Sequence, residues 1–424
     1  MKSGWLRGVF AACALLGMAA CGGSGRSGFV YLASRGSDPG TLTAYRVDLG
    51  KGTLASSNGA LTPTGKSAAT GTQPGPMILD STNTFAFVAD YGNPLDPGTD
   101  NTKKNGDIAA FTIGKGGSIS SIGLTAMPPY KIQTPQIDLS GCATLSPVGL
   151  ALDPTGKFLF VASQAFYNAG SAACAGLPAN GMRAPGVLVV FGVASGKVTP
   201  VSVNAIPVPP AAPGTNTPQP SAVAVSNQGS FVYVTDYQNN TVVGFAYDSN
   251  GALASIPGQF VAVGTLPQTV FSPPAGNFLY VGNAGTNDIY EFVINDDGSL
   301  MPVTGTSILG TGTGPIAMLS DPNAKYVYVL AHDSGQILGY TFNHVTGTLT
   351  AVSPNGGTVS TGVGPVAFTI RSDGTTSGNF WMFASNLGAN TISSYSVNGS
   401  TGALAQLPQL VVQGGGAPYG IAAH

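Results

Sequence analysis

Seven short runs of aromatic and β-branched residues recur along the chain, each bounded by glycine, asparagine, aspartate or serine. Runs of this kind are typical of β-strands, and their near-continuous apolarity predicts burial on both faces. The aromatic residues that open successive runs are 47 to 73 residues apart. The seven predicted strands cover residues 29–33, 85–89, 158–162, 231–235, 278–282, 326–330 and 380–384.

Proline and glycine punctuate each of these units. A proline is tolerated at the first residue of a strand, so a proline eleven residues before five of the runs, and fifteen before the seventh, predicts an inner strand there. Each unit ends in a turn of the form Gly-x-Leu or a close variant, in which glycine supplies a positive φ. The prolines are Pro74, Pro147, Pro220, Pro267, Pro315 and Pro365, and the turns begin at Gly52, Gly117, Gly196, Gly251, Gly298, Gly347 and Gly402.

Four antiparallel strands at this period, with no helical pattern, indicate a β-propeller. The first unit has no proline strand, whereas residues 418–424 form a proline strand without the rest of a unit. We therefore predict a seven-bladed propeller over residues 29–424, closed by pairing of the N- and C-terminal strands within one blade, which leaves no open ring edge.

The first twenty residues resemble a secretory signal. Lys2 and Arg7 precede a short apolar run that is too short to span a bilayer comfortably, and the run ends in Ala-Ala-Cys21. This ending resembles the lipobox of bacterial lipoproteins, which implies lipidation of Cys21 and a flexible tether over residues 21–28. An ordinary signal peptide with a chance cysteine is the alternative. Gly22 resembles outer-membrane sorting, so we expect an exported, lipid-anchored protein of the cell envelope, on its periplasmic or surface side.

Charged residues make up only 8% of the chain, and the net charge is −2, which argues against a nucleic-acid partner. Outside the signal, Cys142 and Cys174 remain, and an oxidising compartment favours a disulfide between them over two free thiols. We expect a monomer without a cofactor.

The large insertions all fall on one face of the predicted ring, within residues 91–105, 126–146, 164–185 and 200–219. Long loops in a compact domain are commonly functional, although decoration without function is the alternative. Polar residues follow the second strands on the same face, where turn formation alone would explain most of them. The candidate ligand-binding residues are Asp90, Tyr91, Gln164, Arg183, Asp236, Tyr237, Asn283 and Asn386.

Catalytic candidates are few. His332 beside Asp333 is the one histidine next to an acid, and Arg35 is the other residue of this face that is not a habitual turn former. A polar loop histidine is the simpler interpretation of His332. The chain has a single glutamate, Glu291, and lacks zinc spacing, an EF-hand and a Gly-x-Ser-x-Gly elbow, so we predict no metal site.

The repeats resemble the propeller lactonase family, also called 6-phosphogluconolactonase-like, and the related YVTN repeats. The resemblance rests on Tyr-Val-Thr-Asp at 233–236, Tyr-Val-Gly-Asn at 280–283, Asp-Pro-Thr-Gly-Lys-Phe at 153–158 and the seven glycine turns. It implies a seven-bladed propeller and, in family members, lactone chemistry through charged side chains at the channel mouth. Since those charged residues cannot be matched one by one, we favour a scaffold that binds an envelope protein, glycan or small molecule, with lactone hydrolysis as the alternative.

Overall fold

The structure is a computed structural model. It describes residues 27–57, 60–93, 105–129, 131–134, 137–140, 142–167, 182–210, 216–303, 308–310, 312–352, 357–376, 378–408, 410–412 and 416–424. The predicted signal and the lipidation candidate Cys21 lie outside these residues.

Seven antiparallel sheets form the blades, numbered in chain order, and the predicted seven-bladed propeller is confirmed. Blade 1 contains β1 (Ser27–Ser34), β2 (Thr41–Asp48), β3 (Thr53–Leu54), β6 (Pro63–Ala69) and β36 (Pro418–Ala423). Blade 2 contains β7 (Pro74–Leu79), β8 (Phe85–Asp90), β9 (Asp107–Gly114) and β10 (Ser118–Ala126). Blade 3 contains β13 (Ala143–Leu152), β14 (Phe158–Tyr167), β15 (Arg183–Ala194) and β16 (Lys197–Ala205). Blade 4 contains β17 (Pro220–Val225), β18 (Phe231–Asp236), β19 (Thr241–Tyr247) and β20 (Leu253–Ala262).

In blades 5 to 7 the outer strand is split into two short pieces. Blade 5 contains β21 (Pro267–Phe271), β22 (Phe278–Asn283), β23 (Asp288–Ile294), β24 (Leu300–Pro302) and β25 (Ile308–Gly310). Blade 6 contains β26 (Pro315–Ser320), β27 (Tyr326–Ala331), β28 (Gln336–Phe342), β29 (Leu349–Ala351) and β30 (Thr358–Ser360). Blade 7 contains β31 (Pro365–Ser372), β32 (Phe380–Asn386), β33 (Thr391–Val397), β34 (Leu404–Gln406) and β35 (Leu410–Val411).

Two strand pairings close the ring. The C-terminal strand β36 pairs antiparallel with β1, so that Leu32 lies opposite Ile421, as the terminal sequences predict. In addition, the hairpin of β4 (Ser56–Ser57) and β5 (Ala60–Leu61) joins the outer edge of blade 7 through a parallel pairing of β5 with β35. Each end of the chain therefore contributes a strand to the sheet formed by the other end.

The repeated aromatic and glycine positions form the contacts between blades. The turn glycine Gly298 of blade 5 has a φ of 83° and lies against the ring of Phe231 in blade 4, where a Cβ would come within 2.5 Å of the ring. Glycine therefore serves both the turn and this close approach. The same contact recurs around the whole ring, in the pairs Gly52–Trp381, Gly117–Phe29, Gly196–Phe85, Gly251–Phe158, Gly347–Phe278 and Gly402–Tyr326.

A second link between blades is confined to one side of the ring. The buried Tyr233 hydroxyl of blade 4 donates to the Gly298 carbonyl of blade 5 at 2.7 Å, and Tyr280 and Tyr328 bond the turn glycines of blades 6 and 7 in the same way. Blades 2 and 3 carry phenylalanine at this position, Phe87 and Phe160, which leaves no hydroxyl to donate. Buried hydroxyls therefore link blades 4 to 7, the side with the shorter insertions.

Blade 3 departs from the prediction, because its strands extend into two predicted insertions. β13 begins at Ala143 and pairs with β14 as far as Tyr167, and Phe166 lies opposite Arg183 on β15. A further hairpin, β11 (Lys131–Thr134) with β12 (Ile137–Ser140), lies within the insertion before blade 3. The alternation of side chains continues past the prolines and glycines that suggested loops, so the ladder continues as well.

The described helical content is one short 3-10 turn at Lys115–Gly117. None of the described residues forms a helix long and apolar enough to cross a bilayer.

Candidate functional site

A cavity of about 720 Å³ lies at the mouth of the central channel. The beginnings of all seven innermost strands line it, together with residues that follow the second strands, so it opens on the face of the long insertions. In six blades the residue after the inner-strand proline faces the cavity: Val148, Ser221, Gln268, Ile316, Val366 and Tyr419. In blade 2 this position is Gly75, and the ring of Tyr91 lies over it instead.

His332 lines this cavity from blade 6. Its Nδ1 lies 2.8 Å from Asp333 Oδ1, and both side chains are partly open to solvent. A carboxylate can only accept, so this bond places the proton on Nδ1 and leaves the Nε2 lone pair available as a base. Among the described residues Nε2 has no hydrogen-bond partner. The sequence-predicted pair therefore lies together at the mouth in a geometry suited to general-base chemistry.

Arg35 lies behind the cavity wall. Its guanidinium stacks on the rings of Tyr419 at 3.7 Å and Tyr91 at 4.5 Å from the centroids, and its Nε donates to the Pro74 carbonyl at 2.7 Å. Arg35 Nη2 is buried without a hydrogen-bond partner among the described residues. Arg35 therefore positions the two rings electrostatically and is screened by them from the cavity.

The Tyr91 and Tyr419 hydroxyls are bonded to each other at 3.0 Å, and their rings meet edge to face. Removal from water, with the neighbouring Tyr419 second, raises the pKa of the Tyr91 phenol well above its usual range, an effect that Arg35 partly offsets. Both hydroxyls therefore stay protonated at neutral pH. Because their mutual bond uses one of the two protons, one O–H remains to donate to a ligand in the cavity.

Arg183 organises the opposite side of the mouth. Its Nη1 donates to Gln219 Oε1 at 2.8 Å and Gln164 Oε1 at 3.0 Å, and its guanidinium lies 5.6 Å from the ring centroids of Phe166 and Tyr237. Burial raises the pKa of the Tyr237 hydroxyl, and the Arg183 charge offsets part of that rise. Gln164 and Tyr237 line the cavity, whereas Arg183 holds them from behind.

Four predicted ligand-binding residues lie within the blades rather than in the cavity. Asp90, Asp236, Asn283 and Asn386 are completely buried at the ends of the second strands. The Asp90 and Asp236 carboxylates accept the backbone N–H groups of Gly71 and Gln219, in the loops that lead into the inner strands, at 2.9 Å each. The Asn283 amide donates to Asp288 Oδ1, and the Asn386 amide to Ser393 Oγ. Their polar groups tie neighbouring strands together at the channel mouth.

Asp90 has a second carboxyl opposite it. Asp107, the first residue of the next strand, is its register partner, whereas Asp236 lies opposite Thr241. Burial, followed by repulsion from Asp107, raises the pKa of Asp90 to about 9, and burial also raises the pKa of Asp107. The two carboxyls therefore hold a proton at neutral pH.

Tyr419 and Gln219 are parts of the mouth that the sequence did not single out. Tyr419 occupies the position after a proline that also places Ser221 and Gln268 in the cavity, so the repeat itself carried the necessary signal. Gln219 precedes a proline in a predicted insertion and was indistinguishable from loop.

Cys142 is disulfide-bonded. The other three cysteines, Cys174 among them, lie outside the described residues, so the pairing with Cys174 stays a prediction. Within the described parts of the chain, no group of three or more histidine, cysteine, aspartate or glutamate side chains could hold a metal ion.

The comparisons with known proteins agree with this architecture. Residues 267–368, which span blades 5 and 6 and the first half of the inner strand of blade 7, match the family described as Lactonase, 7-bladed beta-propeller. The chain is a lactonase-like propeller. A comparison with curated proteins found no match.

Solved structures share the whole lactonase-like fold. The periplasmic gluconolactonase of Pseudomonas aeruginosa is 17% identical, with a TM-score of 0.69 over 94% of this chain and 99% of its own. A candidate 6-phosphogluconolactonase of Bacteroides uniformis is 18% identical, with a TM-score of 0.69 over 94% and 99% of the two chains. A second one, from Bacteroides fragilis, is 16% identical, with a TM-score of 0.64 over 95% and 100%. Identities this low establish the fold that these proteins share.

Proposed function

We propose that the protein hydrolyses a lactone at the channel mouth. The observation that carries this proposal is the placement of His332, with Nδ1 bonded to Asp333, in the same cavity as the paired Tyr91 and Tyr419 hydroxyls. The match to the lactonase family supports it over a non-catalytic binding scaffold, the interpretation that the sequence alone favours.

In the proposed reaction His332 Nε2 takes a proton from a water molecule as the water oxygen attacks the lactone carbonyl carbon. The free O–H of the tyrosine pair donates to the carbonyl oxygen as negative charge develops on it, and the Arg35 charge behind the rings favours that charge. The ring C–O bond then breaks, and the departing oxygen takes the proton from the imidazolium. The product is the open hydroxy acid.

Hydrolysis can be measured as acid release from glucono-1,5-lactone and from unsubstituted δ-valerolactone, after subtraction of the spontaneous rate. The wild-type protein should exceed that rate with at least one of them, and His332→Ala should lower kcat about 100-fold or more. His344→Ala is the matched control, because His344 stacks on Phe342 in a turn of the opposite face. A wild-type rate equal to the spontaneous rate would overturn the proposal.

We also propose that the protein is exported and anchored through a lipid on Cys21, as the lipobox-like Ala-Ala-Cys ending indicates. A solved structure with this fold belongs to a periplasmic gluconolactonase, which supports export. Labelling with a radioactive fatty acid should mark the wild-type protein and fail with Cys21→Ser. Label retained by Cys21→Ser, or wild-type protein recovered unlabelled from the cytosol, would contradict the anchor.

A further inference from the structure

The cavity wall is predominantly apolar. Below the mouth it is formed by Met77, Ile316, Met318, Val366, Phe368 and Ile421, which belong to four of the seven inner strands. Among the described residues that line the cavity there is no aspartate, glutamate, lysine or arginine. The described cavity at the opposite channel mouth differs, because Lys115 and Arg371 line it.

Several polar groups of the wall already have partners within the protein. Ser221 Oγ donates to the Pro267 carbonyl at 2.6 Å and lies 2.8 Å from Thr235 Oγ1. Gln164 Oε1 accepts from Arg183, and the Tyr91 and Tyr419 hydroxyls share one bond. A sugar ring with several hydroxyls would bury more donors and acceptors than this wall can satisfy, and each one left unpaired is costly.

The two arginines of this face do not supply a phosphate site either. Arg35 is covered by the rings of Tyr91 and Tyr419, and Arg183 Nη1 is bonded to Gln164 and Gln219. A phosphate in the cavity would therefore lack the bidentate cation contacts that such groups require.

The polar groups that remain available to a ligand lie at the mouth, namely His332 Nε2 and one hydroxyl of the tyrosine pair. We infer that the substrate of this site is a lactone with an alkyl or aryl substituent, whose ring lies at the mouth and whose apolar substituent extends into the channel. This inference rests on the proposed lactone hydrolysis and specifies its substrate class. Burial of each methylene against the wall should add a similar increment of binding.

The test is a series of δ-lactones with side chains of zero, one, three and five carbons, assayed with the purified full-length protein beside glucono-1,5-lactone and its 6-phosphate. We expect kcat/KM to rise about two- to fourfold per methylene, and the pentyl lactone to exceed both sugar lactones. A flat or falling series, or a preference for either sugar lactone, would overturn this inference while leaving lactone hydrolysis intact.

A variant of the wall sharpens the test. Val366→Thr keeps the side-chain shape and adds a hydroxyl to the wall, so it should lower kcat/KM for the pentyl lactone at least twofold and leave unsubstituted δ-valerolactone unchanged. The control is Val345→Thr, since Val345 is 88% exposed in a turn of the opposite face. Equal effects of Val366→Thr on both lactones would contradict an apolar subsite, and thermal midpoints show whether each variant is folded.

Binding of the corresponding δ-lactams, which resist hydrolysis, separates this inference from the proposed function. If no lactone is hydrolysed, the proposed function fails. Lactam affinity that rises with chain length would then still support the apolar subsite, whereas absent or length-independent lactam binding would overturn it as well. Calorimetric titration of the wild-type protein measures this directly.

Discussion

Gly52 of blade 1 lies directly against the indole of Trp381 in blade 7, so that a Cβ at this position would come within 2.2 Å of the ring. The indole Nε1 also donates to the Leu49 carbonyl of blade 1 at 2.9 Å. This contact joins the first and last blades of the chain, and it is the same glycine–aromatic contact that joins every other pair of neighbours. The ring is therefore closed by packing as well as by strand pairing.

Gly52→Ala should weaken this closure. Gly52 has a φ of 68°, so alanine would add backbone strain to a clash with the indole, and we expect a loss of about 3 kcal/mol in the free energy of unfolding. Gly65→Ala is the control, because Gly65 has a φ of 75° with no atom within 4 Å of its Cβ position, and only the strain of about 1 kcal/mol applies. Denaturant unfolding of the two variants measures the difference. Equal losses would show that the indole contact adds nothing.

Tyr233→Phe should remove one of the hydroxyl links between blades. The Gly298 carbonyl would lose its donor, and we expect a loss of about 1 to 2 kcal/mol. Tyr31 occupies the same position in blade 1, but its buried hydroxyl has no partner among the described residues, so Tyr31→Phe should be neutral or slightly stabilising. Thermal denaturation compares the two, and the prediction fails if Tyr31→Phe is the more damaging change.

The Asp90–Asp107 pair should make stability depend on pH. The folded protein keeps a proton on Asp90 up to a pKa of about 9, whereas the unfolded chain releases it near pH 4. Stability should therefore fall as pH rises between these values, by at most about 1.4 kcal/mol per pH unit. Asp90→Asn keeps an acceptor for the Gly71 N–H and removes the titrating group, so it should flatten the profile and stabilise the fold at alkaline pH.

Asp236→Asn is the control for that profile. Asp236 is equally buried at the matching position of blade 4, but its register partner is Thr241 rather than a second carboxyl. Burial raises the pKa of Asp236 too, yet the repulsion present at Asp90 is missing, so the profile should change less. Unfolding curves between pH 5 and 9 decide this, and an Asp90→Asn slope identical to wild type would contradict proton sharing.

Tyr419→Phe should affect catalysis more than stability. The change breaks the hydroxyl pair with Tyr91 and removes a donor from the developing oxyanion, so kcat should fall about 10- to 100-fold at a nearly unchanged KM. Tyr290→Phe, on a third strand away from the cavity, should leave kcat unaltered. A loss confined to KM would assign Tyr419 to binding alone.

The aromatic and glycine pattern was sufficient to predict the fold because each member of the pattern makes the same contact seven times. The closure through residues 418–424 followed from the missing proline strand of blade 1, and its pairing with β1 is confirmed. The length of the blade 3 strands was not predictable, because the glycines and prolines near 168–182 resemble those of any loop. Local composition does not show where a ladder stops.

The site was harder to predict because polar residues after a strand can point in two directions. Tyr91 and Asp90 are adjacent in sequence, yet the ring of Tyr91 faces the channel and the carboxylate of Asp90 faces the Gly71 amide within the blade. The alternation of side chains along a strand separates the two only when the register of the final residue is known. Tyr419 had the reverse problem, since its strand was interpreted only as a means of closing the ring.

Chemical rescue of His332→Ala tests the central claim most directly. If His332 is the general base of a lactone hydrolase, added imidazole should restore hydrolysis to this variant in a concentration-dependent way, beyond its effect on the spontaneous rate. The rate of His344→Ala, corrected in the same way, should stay at the wild-type level with or without imidazole. Wild-type turnover that survives in His332→Ala without imidazole would contradict the assignment of the base and of the site.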